Sequence, residues 1–421
     1  MVLEIRLSNF FSIKDEITLD FRAGSTKSQK ARSLARNTFK FEDIDVLKTI
    51  AIYGANASGK SNIIKAIRFC NALVFESHLH NENTRYNFKR FKFEGWTNKP
   101  SAYLIKFVLD DTEYDYSFSL MKDEISTESL YYYPRGRKAK IFERDERKGK
   151  SKNKIYSFGQ SVIKRPMDVA ENTSAKTLYI SRASQMDREI PKAVFRYFHE
   201  TFILSYLRYS AAYASVLIEK HKEQLLKGLQ LADSDIVDFK AKKISKKGKN
   251  VRADFVSDEA FIEDVNLDEL EIITYHSPLP DTPFDFSEES AGTRKLFFIL
   301  LMVLDIIKNN KILLIDEIEA SLHPKIIEYI IDIFHNSKRS QLIFATHTTS
   351  LLDLNKLRKD QVWFLNKLKD GATDLYSLYD YSDFRDTMDL EKAYLQGRFD
   401  AVPVITGTEE DIHQMVENNG Q

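Results

Sequence analysis

Gly54, Gly59, Lys60 and Ser61 stand at the spacing Gly-x-x-x-x-Gly-Lys-Ser within "IAIYGANASGKSNIIKAI". Small residues let backbone N–H groups turn inward and approach phosphate oxygens that a Cβ would hold away. A helix starting at Lys60 would aim its N-terminal donors and its dipole at the same anion. The chemistry this predicts is nucleotide binding, with Asn56, Ala57, Ser58, Gly59, Lys60, Ser61 and Asn62 around the phosphates. Lys60 would reach the β- and γ-phosphates and Ser61 would hold Mg²⁺. A chance turn before a helix also satisfies the pattern, but the apolar run ahead and the helical periodicity behind supply the context a phosphate loop needs.

"KILLIDE" ends an apolar strand on Asp316 and Glu317, at the sheet edge where open α/β folds bind ligands. Asp316 is expected to hold Mg²⁺ and Glu317 to polarise an attacking water. "QLIFATH" is a second apolar strand, ending on Thr346 and His347, and its histidine could touch a γ-phosphate and the water. In "FSEESAGTRKLF", Ser290 and Gly292 precede an apolar helix and form a second device for phosphate. A chain with its own phosphate loop needs no second one for the same nucleotide. A second subunit could use it.

These residues need strands and helices to present them. Ile63, Ile64, Ala66, Ile67, Cys70, Leu73 and Val74 repeat at helical spacing after Lys60. Leu3, Ile5 and Leu7, then Ile17, Leu19 and Phe21, alternate as strands, and residues 22–45 read as a polar loop. From about 85 to 160 the pattern is of antiparallel hairpins, and 175–232 turns helical. The predicted fold class is α/β: a mixed sheet flanked by helices, with an antiparallel β subdomain and an inserted helical arm. Three parts follow: 1–170 with the phosphate loop and β subdomain, 171–265 as the helical arm with a basic loop, and 266–421 with the remaining motifs.

Composition sets limits. With 43% hydrophobic and 12% aromatic residues the chain can bury a large core. Lysine plus arginine equals aspartate plus glutamate, 62 each, so net charge predicts no polyanionic partner and any nucleic-acid surface must be local. Cys70 is the only cysteine, which excludes an intrachain disulfide framework and fits a reducing, cytoplasmic setting. The most apolar window, 296–307, is shorter than a membrane span and is cut by Asp305, so no membrane association is expected.

Taken together, the phosphate loop, the Asp316–Glu317 strand, Ser290–Gly292 and His347 resemble an ABC-type P-loop ATPase head. The resemblance implies a homodimer or higher homo-oligomer in which each ATP, with Mg²⁺, is held by one subunit's loop and capped by the other's signature at Ser290 and Gly292. It also places a D-loop at Ala320–His323 and a switch histidine at His347. "NFFSIKDE", "ESAGTRKLF", "IDEIEASLHP", "THTTSLLD" and "LEKAYLQGRFDAVP" narrow the likeness. They resemble AAA-family ATPases of bacterial abortive-infection and anti-phage systems, heads related to the ATPase part of overcoming-lysogenization-defect nucleases. The likeness covers roughly residues 1–75 and 265–405. Ala291 and Thr293 depart from the transporter form of the signature, and Asp400 stands where the terminal motif suggests glycine. The glutamine that senses Mg²⁺ in such heads is assigned to Gln185, although an ordinary helix-surface glutamine would read the same way.

The resemblance implies an ATP-hydrolysing switch controlling a separate effector, such as a nuclease toxin from the same operon, because about 74 residues after His347 are too few for an appended nuclease. The alternatives are a DNA-repair or DNA-clamping ATPase of the RecF or chromosome-maintenance type, a transporter's nucleotide-binding subunit, and a scaffold that binds ATP without turnover. "KAKKISKKGKNVR" is either a phosphate-tracking patch or a charged flexible loop. "RGRKAKIFERDERKGKSKNK" reads as a solvated hairpin blunting a sheet edge. Tyr131, Tyr132 and Tyr133 are expected to pack on a neighbouring strand, and His78 and His80 lack companions for a zinc site.

Overall fold

Thr49–Gly54 is buried at all six positions, and its residues divide between two cores. Ile50 and Ile52 pack with the helix Lys60–Glu76 and the N-terminal sheet. Ala51 and Tyr53 face the helices Ala291–Lys308 and Pro324–His335. This is the two-residue period of a strand covered on both sides, and it explains why the run is apolar throughout. The computed structural model describes residues 1–25, 28–93, 95–203, 210–232, 234–253, 260–320, 322–403 and 407–417.

The central sheet runs in the order Phe202–Ile203, Ile312–Ile315, Gln341–Ala345, Thr49–Gly54, Val362–Lys367, Thr373–Ser377. All neighbours are parallel except the last pair. The ends of Thr49–Gly54, Ile312–Ile315, Gln341–Ala345 and Val362–Lys367 therefore open on one edge, where their following loops gather. A second, seven-stranded antiparallel sheet takes Val2–Ser8 and Ile17–Asp20 together with five strands between Ser101 and Phe158. The two expected N-terminal strands and the hairpin sheet are thus present as one layer.

Two expectations change. Residues 22–45 hold a short helix, Gln29–Ser33, and the start of a hairpin, Thr38–Phe41 with Ile44–Leu47. The helical reading of 175–232 ends as expected at Leu231, but the basic loop expected after it within 171–265 is not a loop. Beyond Leu231 the lysine-rich stretch is a strand, Ile236–Ala253, paired antiparallel with Ala260–His276 as a long ribbon. One strand carries the lysines and its partner the acids, as in Lys243–Asp268 at 2.7 Å and Lys246–Glu269 at 2.8 Å. A strand's charge partner lies far off in sequence, which is why the stretch read as a loop.

The tyrosine triplet packs as expected. Tyr132 stacks on Tyr114, Tyr133 donates to Asp115 at 2.7 Å, and Tyr131 donates to Glu143. In the basic hairpin Arg144 is the exception to solvation: it is buried, 3.8 Å from buried Glu128. Asp400 has φ of +50°, the left-handed conformation that accounts for a glycine preference there and that Asp tolerates better than most residues. No helix among the described residues is long and apolar enough to cross a membrane.

Candidate functional site

The strand Thr49–Gly54 ends in a loop that turns through Ala57 at φ +63° and Gly59 at φ +114° before the helix Lys60–Glu76 begins. At Gly59 a Cβ would lie 2.2 Å from Thr373 Oγ1 and 2.8 Å from Ser12 Oγ, so only glycine fits. Those hydroxyls brace the loop from outside it. Thr373 Oγ1 donates to Ser58 O at 2.8 Å, Ser12 and Thr373 hydroxyls meet at 2.7 Å, and Asn62 Nδ2 donates to Ser12 Oγ at 2.7 Å.

Lys60 is buried, and its Nζ folds back over the loop to donate to Gly54 O at 2.7 Å and Ala55 O at 3.1 Å. Burial lowers its pKa to about 8 against the opposing pull of Glu319, Asp316 and Glu317. All three carboxylates are thus close enough to act on the lysine. A cleft of about 1070 Å³ opens here, lined by Asn56, Ala57, Gly59, Lys60, Ser61, Asn62, Glu317 and His347 among others. Sequence positions up to 291 residues apart are brought together by the parallel register.

Asp316 follows the strand Ile312–Ile315, and its Oδ1 is buried with no hydrogen-bond partner. Ser58 Oγ and Glu319 Oε2 are in the same condition. Buried oxygens that lack partners are costly unless a ligand satisfies them. The donor set suits Mg²⁺, which takes one or two protein oxygens and completes its shell from phosphate and water. Among the described residues no group of three or more His, Cys, Asp or Glu is arranged to hold a metal, and this site does not require one. Glu317 is exposed, with φ of +50°. Burial first, and then Lys60, lowers the pKa of His347 against the opposing pull of Glu319, Glu317 and Asp316.

Ser290 and Gly292 do not line this cleft. Ser290 is exposed at the start of the eighteen-residue helix Ala291–Lys308, where its Oγ accepts from Thr293 N at 3.0 Å. Lys295, one turn on, donates to Ala320 O, joining the helix Ala291–Lys308 to the segment expected to be the D-loop. Of that segment Ser321 lies outside the described residues. Gln185 is displaced from the expectation made for it: it is exposed at the end of the helix Tyr179–Gln185 and does not line the cleft. Ser181 of that helix bonds His78, beyond the C-terminal end of the helix Lys60–Glu76, whose opposite end forms the cleft. A seventeen-residue helix separates the two by roughly 25 Å.

Three features escaped the sequence reading. Glu319 accepts from His347 N at 2.7 Å, and the signal was a third carboxylate in "IDEIEASLHP". Lys89, Arg90, Lys92, Lys367 and Lys369 give the cleft a basic wall, visible as the alternation in "NFKRFKF". The terminal motif buttresses the phosphate-loop strand from behind: Phe399 stacks on Phe364 at 4.6 Å, and Tyr394 meets Tyr53 edge-on at 6.0 Å.

The fold and this cleft define a P-loop ATPase domain. The chain belongs to the family described as "AAA domain, putative AbiEii toxin, Type IV TA system", which matches residues 50–353. None of the curated proteins matches it in sequence. Similar solved structures include an SMC head bound to the C-winged helix domain of ScpA (17% identity, 94% of this chain and 99% of that one, TM-score 0.38). Another is the SMC head domain from Thermotoga maritima (14% identity, 89% and 98%, TM-score 0.39). A third is an SMC head with an extended coiled coil bound to the C-terminal domain of ScpA from Pyrococcus furiosus (16% identity, 94% and 98%, TM-score 0.38). The class rests on the topology, the cleft and the family match, not on these distant likenesses.

Proposed function

We propose that the protein is an Mg²⁺-dependent ATPase switch of an anti-phage, abortive-infection-type system, closing as a dimer around ATP and controlling a separate effector such as a nuclease toxin. The observation that carries the dimer is the position of Ser290: exposed at a helix N-terminus, yet outside the cleft of its own chain. Nucleotide seated on Lys60 leaves that signature available to a second copy. The family match supports the link to a toxin system.

The backbone N–H groups of residues 56–61 and the Lys60 ammonium bind the β- and γ-phosphates, Lys60 exchanging its two carbonyl partners for phosphate oxygens. Ser61 and Asp316 hold Mg²⁺, which when bound supplies charge neutralisation to the phosphates. Glu317 accepts a proton from water as its oxygen attacks the γ-phosphorus and the bond to the β–γ bridging oxygen breaks. His347 donates a hydrogen bond to the γ-phosphate, its backbone held by Glu319. Two of the ribbon's lysines, Lys243 and Lys246, are matched by acids on the facing strand, so they offer the DNA-clamp alternative no free charge.

The test is light scattering with and without ATP and Mg²⁺. Glu317→Gln should lower phosphate release by roughly a hundredfold or more and accumulate an ATP-dependent dimer. Adding Ser290→Arg should abolish that dimer while ATP binding persists. A dimer indifferent to Ser290→Arg rules out the sandwich. Copurification of the operon neighbour with the Glu317→Gln protein, with and without ATP, tests control of an effector.

A further inference from the structure

Ile236–Ala253 and Ala260–His276 form a ribbon of eighteen and seventeen residues, roughly 60 Å long at ~3.3 Å per residue. Its base is anchored on the signature helix. Phe239 of the ribbon meets Phe297 edge-on at 5.2 Å, and Phe286, in the return segment, meets the same ring at 5.1 Å. That return segment runs Leu279–Asp285, Phe286–Glu288, Glu289 and then Ser290.

Glu289 is the residue that joins the two. Its side chain is 8% exposed, and it turns away from the helix it precedes. Glu289 Oε1 accepts from Thr274 Oγ1 and lies 2.9 Å from His276 Nε2, both groups belonging to the ribbon. His276 Nδ1 lies 2.8 Å from Asp235 Oδ1, at the other strand's base. The helix N-terminus is capped by Ser290 instead, so Glu289 is not there to cap it. A carboxylate this buried costs free energy, and its bonds secure one thing: the residue before Ser290 moves with the ribbon. The imidazole's charged form is opposed by burial, but the bonds to Asp235 and Glu289 outweigh that and raise its pKa.

We infer that His276 is a positioning residue: by clamping Glu289 to the ribbon base it sets the place of Ser290, and so couples the ribbon to the nucleotide held by a second copy. This rests on the ATP-sandwich reading above. Each composite site would take its Lys60 from one chain and its ribbon-set signature from the other.

Mixed dimers of the full chain test it, with phosphate release and ATP affinity as readouts. His276→Ala should bind ATP within about twofold of wild type and hydrolyse it at least about tenfold more slowly. Lys60→Ala should be inactive. Mixing the two should restore one intact site and with it activity, because the wild-type lysine and the wild-type clamp then meet. Glu289→Gln, milder and less of a risk to folding, should show the same pattern with a smaller loss. Wild-type turnover by His276→Ala would overturn the inference. So would failure of His276→Ala and Lys60→Ala to complement while Ser290→Arg and Lys60→Ala do. If Ser290→Arg and Lys60→Ala also fail to complement, the sandwich itself is wrong and the coupling falls with it.

Discussion

Glu319 holds the backbone N–H of His347 at 2.7 Å, tying the turn after Ile312–Ile315 to the end of the neighbouring strand Gln341–Ala345. Its second oxygen is buried without a partner, and its charge acts on Lys60. One side chain therefore touches both the placement of His347 and the electrostatics of Lys60. Replacing it with alanine should cut hydrolysis by about ten- to a hundredfold, with a smaller change in ATP affinity. Glutamine retains an acceptor for the N–H and should recover most of the rate. Equal rates for the two variants, measured by phosphate release, would show that the hydrogen bond is not what matters.

Gly59→Ala puts a Cβ 2.2 Å from Thr373 Oγ1 in a left-handed conformation. The loop must open or the chain must strain, at a cost of about 1–3 kcal/mol. Nucleotide affinity should fall by roughly tenfold or more, as read by calorimetric titration. Relieving the nearest clash with Thr373→Ala in the same chain should rescue only part of the loss, because Ser12 Oγ still crowds the Cβ, the backbone strain stays and the bond to Ser58 O is gone. Full rescue would show that crowding alone was responsible.

His335 is buried, with Nε2 3.0 Å from Thr49 Oγ1 and 3.2 Å from Gln361 Nε2 at the foot of the central sheet. Burial first, then Arg36 and Lys48, depress its pKa from 6.5 to about 3. The unfolded chain therefore takes up a proton that the folded chain refuses. Stability is fully present above pH 6.5 and is lost as pH falls from there toward 3. The loss should be on the order of 2 kcal/mol by about pH 4.5. His335→Gln should flatten that part of the curve of unfolding midpoint against pH. An unchanged slope would place the acid sensitivity elsewhere.

Glu128 is buried and accepts from Tyr179 N at 2.6 Å, Ile180 N at 3.0 Å and Tyr116 OH at 3.0 Å, beside buried Arg144. It closes the start of the helix Tyr179–Gln185 from a strand of the N-terminal sheet. Glu128→Ala leaves Arg144 with Glu146 as its remaining acid and strips the buried Tyr179 N, Ile180 N and Tyr116 OH of their acceptor, and should destabilise by about 3 kcal/mol. Adding Arg144→Met should recover part of it in denaturant unfolding, while ATP hydrolysis stays as in the wild type. Selective loss of hydrolysis without loss of stability would contradict this structural role.

The runs 49–62, 312–317 and 341–347 could be read directly because a phosphate loop and buried parallel strands are contiguous devices. Their glycines, acids and apolar stretches sit side by side in the chain, so each segment carries its own meaning. Gln185 misled because its helix looked ordinary and its distance from the cleft is a property of packing. The lysine-rich stretch misled because acids that pair with its lysines lie on the facing strand.

Local chemistry, then, was legible in the order of residues: a lysine on a helix start, two acids on a strand end, a serine set before a second helix. Tertiary structure alone decided which distant groups support it. Ser12 and Thr373, 361 positions apart, close around Gly59, and His276 reaches across to the residue before Ser290. Hydrogen bonds between far-separated residues leave no periodicity behind, since any register of the two segments would show the same sequence. Only the folded backbone selects one.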